Sequence, residues 1–158
     1  MLKQAIENQI DKLTLNDFQT NTWEILLSFL KRIDFEKISD RSYLNEGSIL
    51  DVIIYLKNEG YTLNFSIKPN VFYINSQFYD IYLYSDDEKI KSLSLFLHEL
   101  LKGNYSVENS YNQKDKIIKR KMLFDNNDLL KFNIEEWTSI FNKKIIKENA
   151  IRGINLMK

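Results

Sequence analysis

The stretch from Tyr61 to Tyr84, "YTLNFSIKPNVFYINSQFYDIYLY", leaves the chain little choice of fold. Tyr61, Leu63, Phe65 and Ile67 alternate with Thr62, Asn64 and Ser66, the two-residue period of a half-buried strand. "KPN" around Pro69 turns the chain, "VFYIN" supplies a second strand, "SQ" turns it again and "FYDIYLY" supplies a third. Connections this short join neighbouring strands only in antiparallel fashion, so the segment predicts a three-strand meander. If Leu63, Phe65, Phe72, Ile74, Ile81 and Leu83 face the core, the other face carries Asn64, Tyr73, Asp80, Tyr82 and Tyr84.

Helical spacing dominates on either side of the meander. Leu2, Ala5, Ile6, Ile10 and Leu13 fall on one side of a first amphipathic helix, and "TLNDFQTN" then breaks or bends the chain. Trp23, Leu26, Leu27, Leu30 and Ile33 mark a second helix, with Asn21 and Glu24 as a cap pair. After the polar connection "DFEKISDRSYLNEG", Ser48 and Asp51 open a buried third helix that runs to Gly60. Ser85 and Glu88 open a fourth, from about Asp86 to Lys102, stopped by Gly103. "NYSVENSY" and "KIIKRKMLF" flank "NQKD" as a hairpin. Asn133 then caps a last helix bearing Trp137, Ile140, Phe141 and Ile145, and the tail from Asn149 carries little pattern.

This order predicts an α+β fold, with a mainly antiparallel sheet of meander plus hairpin packed against about four to five helices. No repeat and no linker rich in Gly, Pro or Ser divides the chain, so a single domain over 1–158 is expected, with N-terminal helices at about 1–33 and a mixed core at about 47–148. A chain of 158 residues, 44% apolar and 28% charged, is globular in composition. At that length it buries about 68 to 70% of its unfolded surface without a staple.

Bulk charge narrows the partners. Lys plus Arg equal Asp plus Glu at 22 each, so no global positive field gathers nucleic acid or anionic membrane. The absence of cysteine excludes disulfides, thiolate ligands and thiol nucleophiles and fits a reducing compartment. "MLKQAIENQIDKL" lacks the continuous apolar core of a signal peptide, and no apolar run reaches the roughly 18 residues that span a bilayer. These features predict a cytoplasmic protein with no membrane partner.

Short motifs that suggest chemistry fail on their spacing. "LFLHELLK" opens like the zinc signature H-E-x-x-H, but Lys102 stands four residues after His98, where an ammonium group has no lone pair for a metal. Lys91, Ser94, His98 and Lys102 share the polar side of that helix, opposite Ile90, Leu93, Leu97, Leu100 and Leu101, so His98 reads as solvent-facing. "FDNNDLL" puts Leu129 where a calcium loop starting at Asp125 needs an oxygen ligand. In "SDDEK", Asp86 and Asp87 suit a helix start, where carboxylates oppose the dipole. Gly47, Gly60, Gly103 and Gly153 stand too far apart for a phosphate loop. No metal and no cofactor is therefore expected. "KDKIIKRK" at 114–121 gathers Lys116, Lys119, Arg120 and Lys121, which reads as a solvated strand edge in preference to a phosphate stripe.

With no catalytic signature, binding is the expected role, and the tyrosine face is its expected seat, since tyrosine joins rigid contact area to a polar tip. The layout of "GSILDVIIYLKNEG" leading into "YTLNFSI", then "NVFYINSQFYDIYLYS", then "LFLHELLKGNYSV" and "KIIKRKMLF", resembles the small α+β immunity proteins of bacterial polymorphic toxin and contact-dependent inhibition systems. The resemblance covers roughly residues 47–124. It implies a non-enzymatic protein that binds and blocks one cognate toxin domain, a nuclease among the candidates. The expected contact residues are Asn64, Tyr73, Asp80, Tyr82, Tyr84, Asp86 and Asp87, with Asp125 and Asp128 as further acidic ends. Two other classes compete: a nucleic-acid-associated or regulatory domain using 114–121, and an enzyme built from scattered Asp, Glu and Tyr residues.

Overall fold

A computed structural model describes residues 2–7, 15–45, 49–57, 61–76, 79–138 and 144–158. Contacts gather in two compact units, Met1–Ser94 with Leu156–Lys158, and Leu95–Asn155. Antiparallel sheets and helices make the chain α+β.

The first unit contains helices α1 (Leu2–Glu7) and α2 (Asp17–Leu30) and a five-stranded sheet: β1 (Tyr43–Asn45), β2 (Leu50–Tyr55), β3 (Thr62–Ile67), β4 (Val71–Ser76) and β5 (Asp80–Tyr84). The strands lie in chain order and every pair is antiparallel. Helix α2 starts at Asp17, within the segment the sequence reads as a break. The reason is a capping box upstream of the expected one: the Asn16 side chain accepts from the Gln19 amide at 2.8 Å, and the Gln19 side chain accepts from the Asn16 amide at 3.3 Å. Its apolar stripe, Trp23, Leu26, Phe29 and Leu30, is buried, and α2 touches β3.

The expected third helix is instead strand β2. Leu50, Val52 and Ile54 are buried while Asp51, Ile53 and Tyr55 are half-buried, an alternation that only a strand produces. β2 pairs residue by residue with β3 from Leu50↔Ile67 to Tyr55↔Thr62, so pairing overrides the helical spacing of its apolar groups. Ser48 and Gly60, the expected cap and stop, lie outside the described residues. The polar connection before it is also structured, since Ile38 bridges Leu56 and Tyr43–Asn45 pairs as β1.

A 3₁₀ helix (Glu88–Ser92) leads into α3 (Leu93–Lys102), which crosses from one unit to the next along the chain. The regular helix therefore begins later than predicted, and Asp87 rather than Ser85 caps the 3₁₀ turn, accepting from the Lys89 amide at 2.8 Å. α3 ends at Gly103, as expected. Its φ of +74° suits only glycine, and a Cβ there would lie 2.6 Å from the Gly153 carbonyl oxygen.

The second unit carries a four-stranded antiparallel sheet, order β8-β7-β6-β9, from β6 (Tyr105–Tyr111), β7 (Ile117–Phe124), β8 (Ile134–Trp137) and β9 (Lys147–Arg152). The predicted hairpin is β6 with β7, closed by a turn in which Asn112 Oδ1 accepts from the amides of Lys114 and Lys116. The predicted final helix is not found at its start. Asn133 starts no helix but ends a 3₁₀ helix (Asn127–Phe132), its amide donating to the Leu130 carbonyl; its side chain accepts from the Phe124 amide at 2.9 Å, and Ile134–Trp137 then pairs with β7. Ile140 and Phe141 lie outside the described residues, and the supposedly patternless tail contains most of β9. Phe96 is the centre of this unit's core, 4.5 Å from the Phe132 ring and 5.4 Å from that of Phe124. No helix among the described residues is long and apolar enough to cross a membrane.

Candidate functional site

Register fixes what each face of the five-stranded sheet presents. Leu63, Phe65, Phe72, Ile74, Ile81 and Leu83 are all buried on one face, as the alternation predicts. The opposite face is built in rows across the strands. One row runs Tyr43, Ile53, Asn64, Asn75, Asp80, and the next runs Asn45, Asp51, Ser66, Tyr73, Tyr82. Tyr84, opposite Val71, begins a third. Asn64, Tyr73, Asp80, Tyr82 and Tyr84 therefore share one face.

This face is braced between β4 and the edge strand β5. Asp80 is the hub, accepting a hydrogen bond from the Tyr73 hydroxyl at 2.8 Å and a short one from the Asn75 amide nitrogen. The Tyr73 ring lies 4.6 Å from that of Tyr82, a tilted pair of the kind that gains beyond simple burial. Burial, then the bonds with Asp80 and Tyr82, push the Tyr73 phenol well above the ordinary tyrosine range, so it stays protonated and serves as a donor. Along the same row as Tyr73 and Tyr82, the Ser66 hydroxyl donates to Asp51. Asn64 lies between these clusters, and its Oδ1 is buried without a partner among the described residues.

The outer tyrosines stay exposed: Tyr82 by 52%, Tyr84 by 50% and Tyr43, on the far edge strand, by 43%. Their strands hold the backbone rigid, so the rings present contact area whose ordering cost is already met by folding. Immediately after β5, Asp86 is exposed, whereas Asp87 is committed to capping the Lys89 amide. Tyr43, Asn45, Asp51 and Tyr55 belong to this face and escaped the sequence reading. The signal was present in "LDVIIY", whose alternate residues are polar or large beside buried Leu50, Val52 and Ile54.

The other candidates lie in the second unit. The basic strand β7 is not an edge; β6 and β8 flank it on either side. Its charges are engaged: Lys119 Nζ is 2.7 Å from Glu135 and 4.7 Å from the Trp137 ring centre, Lys121 is 3.8 Å from Glu135, and Arg120 Nε donates to Asn109 at 3.0 Å. The Lys119 ammonium beside Glu135 holds that carboxyl below its ordinary range. Asp125 is paired with Arg152 at 2.8 Å, while Asp128 is exposed. His98 is half-buried on α3, its Nε2 4.0 Å from Glu99.

No protein-family model matches this chain, and neither does a curated protein or a solved structure.

Proposed function

We propose that the protein is a non-catalytic binding protein, an immunity protein that docks on and neutralises a cognate bacterial toxin domain in the cytoplasm. The observation that carries this reading is the open sheet face, where Tyr82 and Tyr84 stand exposed on a paired strand while Tyr73, Asn75 and Asp80 brace one another behind them. Rings held in this way are the residue type and the setting of binding hot spots. Asp80 adds a fixed negative charge among them, and Asp86 another just beyond β5. Both suit a toxin whose own site is basic, as a nuclease site is, and would steer its approach.

The nucleic-acid alternative loses its main support. A phosphate stripe needs uncommitted cations, and Lys119, Arg120 and Lys121 of β7 are tied to Glu135 and Asn109.

The test is co-expression of the protein with each toxic protein encoded beside it, scoring growth and complex formation. Rescue by the native chain, lost when Tyr82 and Tyr84 are both replaced by alanine in a variant that still folds, is the expected result. Growth rescue by no pairing, or equal rescue by the double variant, would overturn it.

A further inference from the structure

A second feature of the same face lies at its other end. Tyr55 and Thr62, paired across β2 and β3, share the open side of the sheet, and Arg41 and Lys57 lie in the turns just before β1 and just after β2. Together with Ser39 and Tyr61 they line a cleft of about 490 Å³. Its walls are fixed by hydrogen bonds from main-chain amides: that of Ser39 donates to the Tyr55 carbonyl at 2.7 Å, that of Lys57 to the Lys37 carbonyl at 3.1 Å, and that of Arg41 to the Ser39 side-chain Oγ at 3.3 Å. The Tyr61 side chain is buried on the core side, its hydroxyl 3.4 Å from that of Tyr79.

The two cations in this cleft contrast with their neighbours. Lys37 is within 3.5 Å of Asp34, and the lysines of β7 meet Glu135. Among the described residues no carboxylate pairs with Arg41 or Lys57. A guanidinium fork and an ammonium group opening on one cleft, with hydroxyls of Ser39, Tyr55 and Thr62 around them, match the donors that an oxyanion needs. The cleft is too large for a bare ion and falls in the range of about 300 to 1,000 Å³ typical of small-molecule sites. The half-buried Tyr55 ring on its wall suits an organic body.

We propose that this cleft binds a small organic oxyanion, a phosphate ester or a carboxylate, held by Arg41 and Lys57 with its body against Tyr55. This site is independent of the toxin-binding reading and stands or falls without it.

The experiment is an amide and side-chain NMR titration of the full chain at constant ionic strength with three probes: inorganic phosphate, phenyl phosphate and benzoate. Saturable shifts confined to Ser39, Arg41, Tyr55 and Thr62 are expected, with phenyl phosphate binding more tightly than inorganic phosphate. Lys57→Gln and Arg41→Gln are each expected to weaken binding about tenfold, whereas Lys68→Gln, at an exposed position just after β3 and outside the cleft, leaves it unchanged. Preference for phenyl phosphate over benzoate would assign a phosphate ester, and the reverse a carboxylate. Absence of saturable shifts with all three probes would overturn the proposal, as would equal binding by a Lys57→Gln variant whose spectrum is otherwise native.

Discussion

The two sheets treat their polar faces in opposite ways. In the four-stranded sheet the charges of "KRK" at 119–121 meet partners on the adjacent strands, Lys119 and Lys121 with Glu135 on β8 and Arg120 with Asn109 on β6. In the five-stranded sheet Ser66 meets Asp51 and Tyr73 meets Asp80, but the rings of Tyr43, Tyr82 and Tyr84 are left exposed. A charge run in sequence is therefore a weaker guide to a binding surface than a row of tyrosines. Cross-strand pairing can consume charges, whereas Tyr82 meets the Tyr73 ring and still stays half exposed.

That contrast can be broken most severely from beneath. Phe65 and Phe72 are fully buried under the tyrosine face, with ring centres 6.1 Å apart. Phe72→Ala is expected to cost about 3 to 5 kcal/mol in chemical denaturation, because a large cavity would open below β4. A loss under about 1 kcal/mol would mean that the platform is not held by this core.

The next effect is on binding. Tyr82→Ala combined with Tyr84→Ala is expected to weaken the partner complex by about 100-fold, close to 2.7 kcal/mol, measured by calorimetry. Lys119→Ala in the other sheet is expected to change the same affinity less than about twofold. Reversed sensitivities would move the binding surface to the second unit.

Gly103→Ala sharpens the comparison from the other side. It is expected to destabilise the second unit by about 2 to 3 kcal/mol, through its positive φ and the contact with Gly153. Hydrogen exchange would rise in β6 and β9 first, and faster exchange confined to β2 to β5 would contradict the assignment.

The smallest effect concerns acid. Glu135 titrates below its unfolded value, so its contribution is present above the ordinary carboxylate range and is lost as pH falls through the lowered folded value. The Trp137 indole nitrogen donates to Glu135 at 3.2 Å, so its NMR resonance is expected to move in that acid window. Glu135→Gln should abolish the movement.

Legibility followed the turns. The meander was readable because "KPN" and "SQ" punctuate three alternating runs, and the β6–β7 hairpin because "NQKD" does the same. Leu50–Tyr55 was misread because Asp51 and Tyr55 lie four apart, like the polar stripe of a buried helix. The apolar run between turn residues is short, which is the length of a strand, and that was the better guide. Ile134–Trp137 failed for a different reason. Its helical spacing is genuine, but pairing with β7 offers Ile134 a place opposite Met122 and Glu135 one opposite Lys121. Tyr73, Tyr82 and Asp80 were found because strand parity alone puts them together. The Arg41 and Lys57 cleft was not, since its residues come from separate strand ends that only the register between β1, β2 and β3 unites.

The most direct measurement is quantitative affinity purification from native cells with the native chain, the Tyr82→Ala, Tyr84→Ala variant and Lys119→Ala as parallel baits. The account predicts one stoichiometric, neighbour-encoded toxin retained by the native chain and by Lys119→Ala, and lost from the tyrosine variant. A partner retained equally by all three baits, or recovery of salt-sensitive nucleic acid alone, would contradict it.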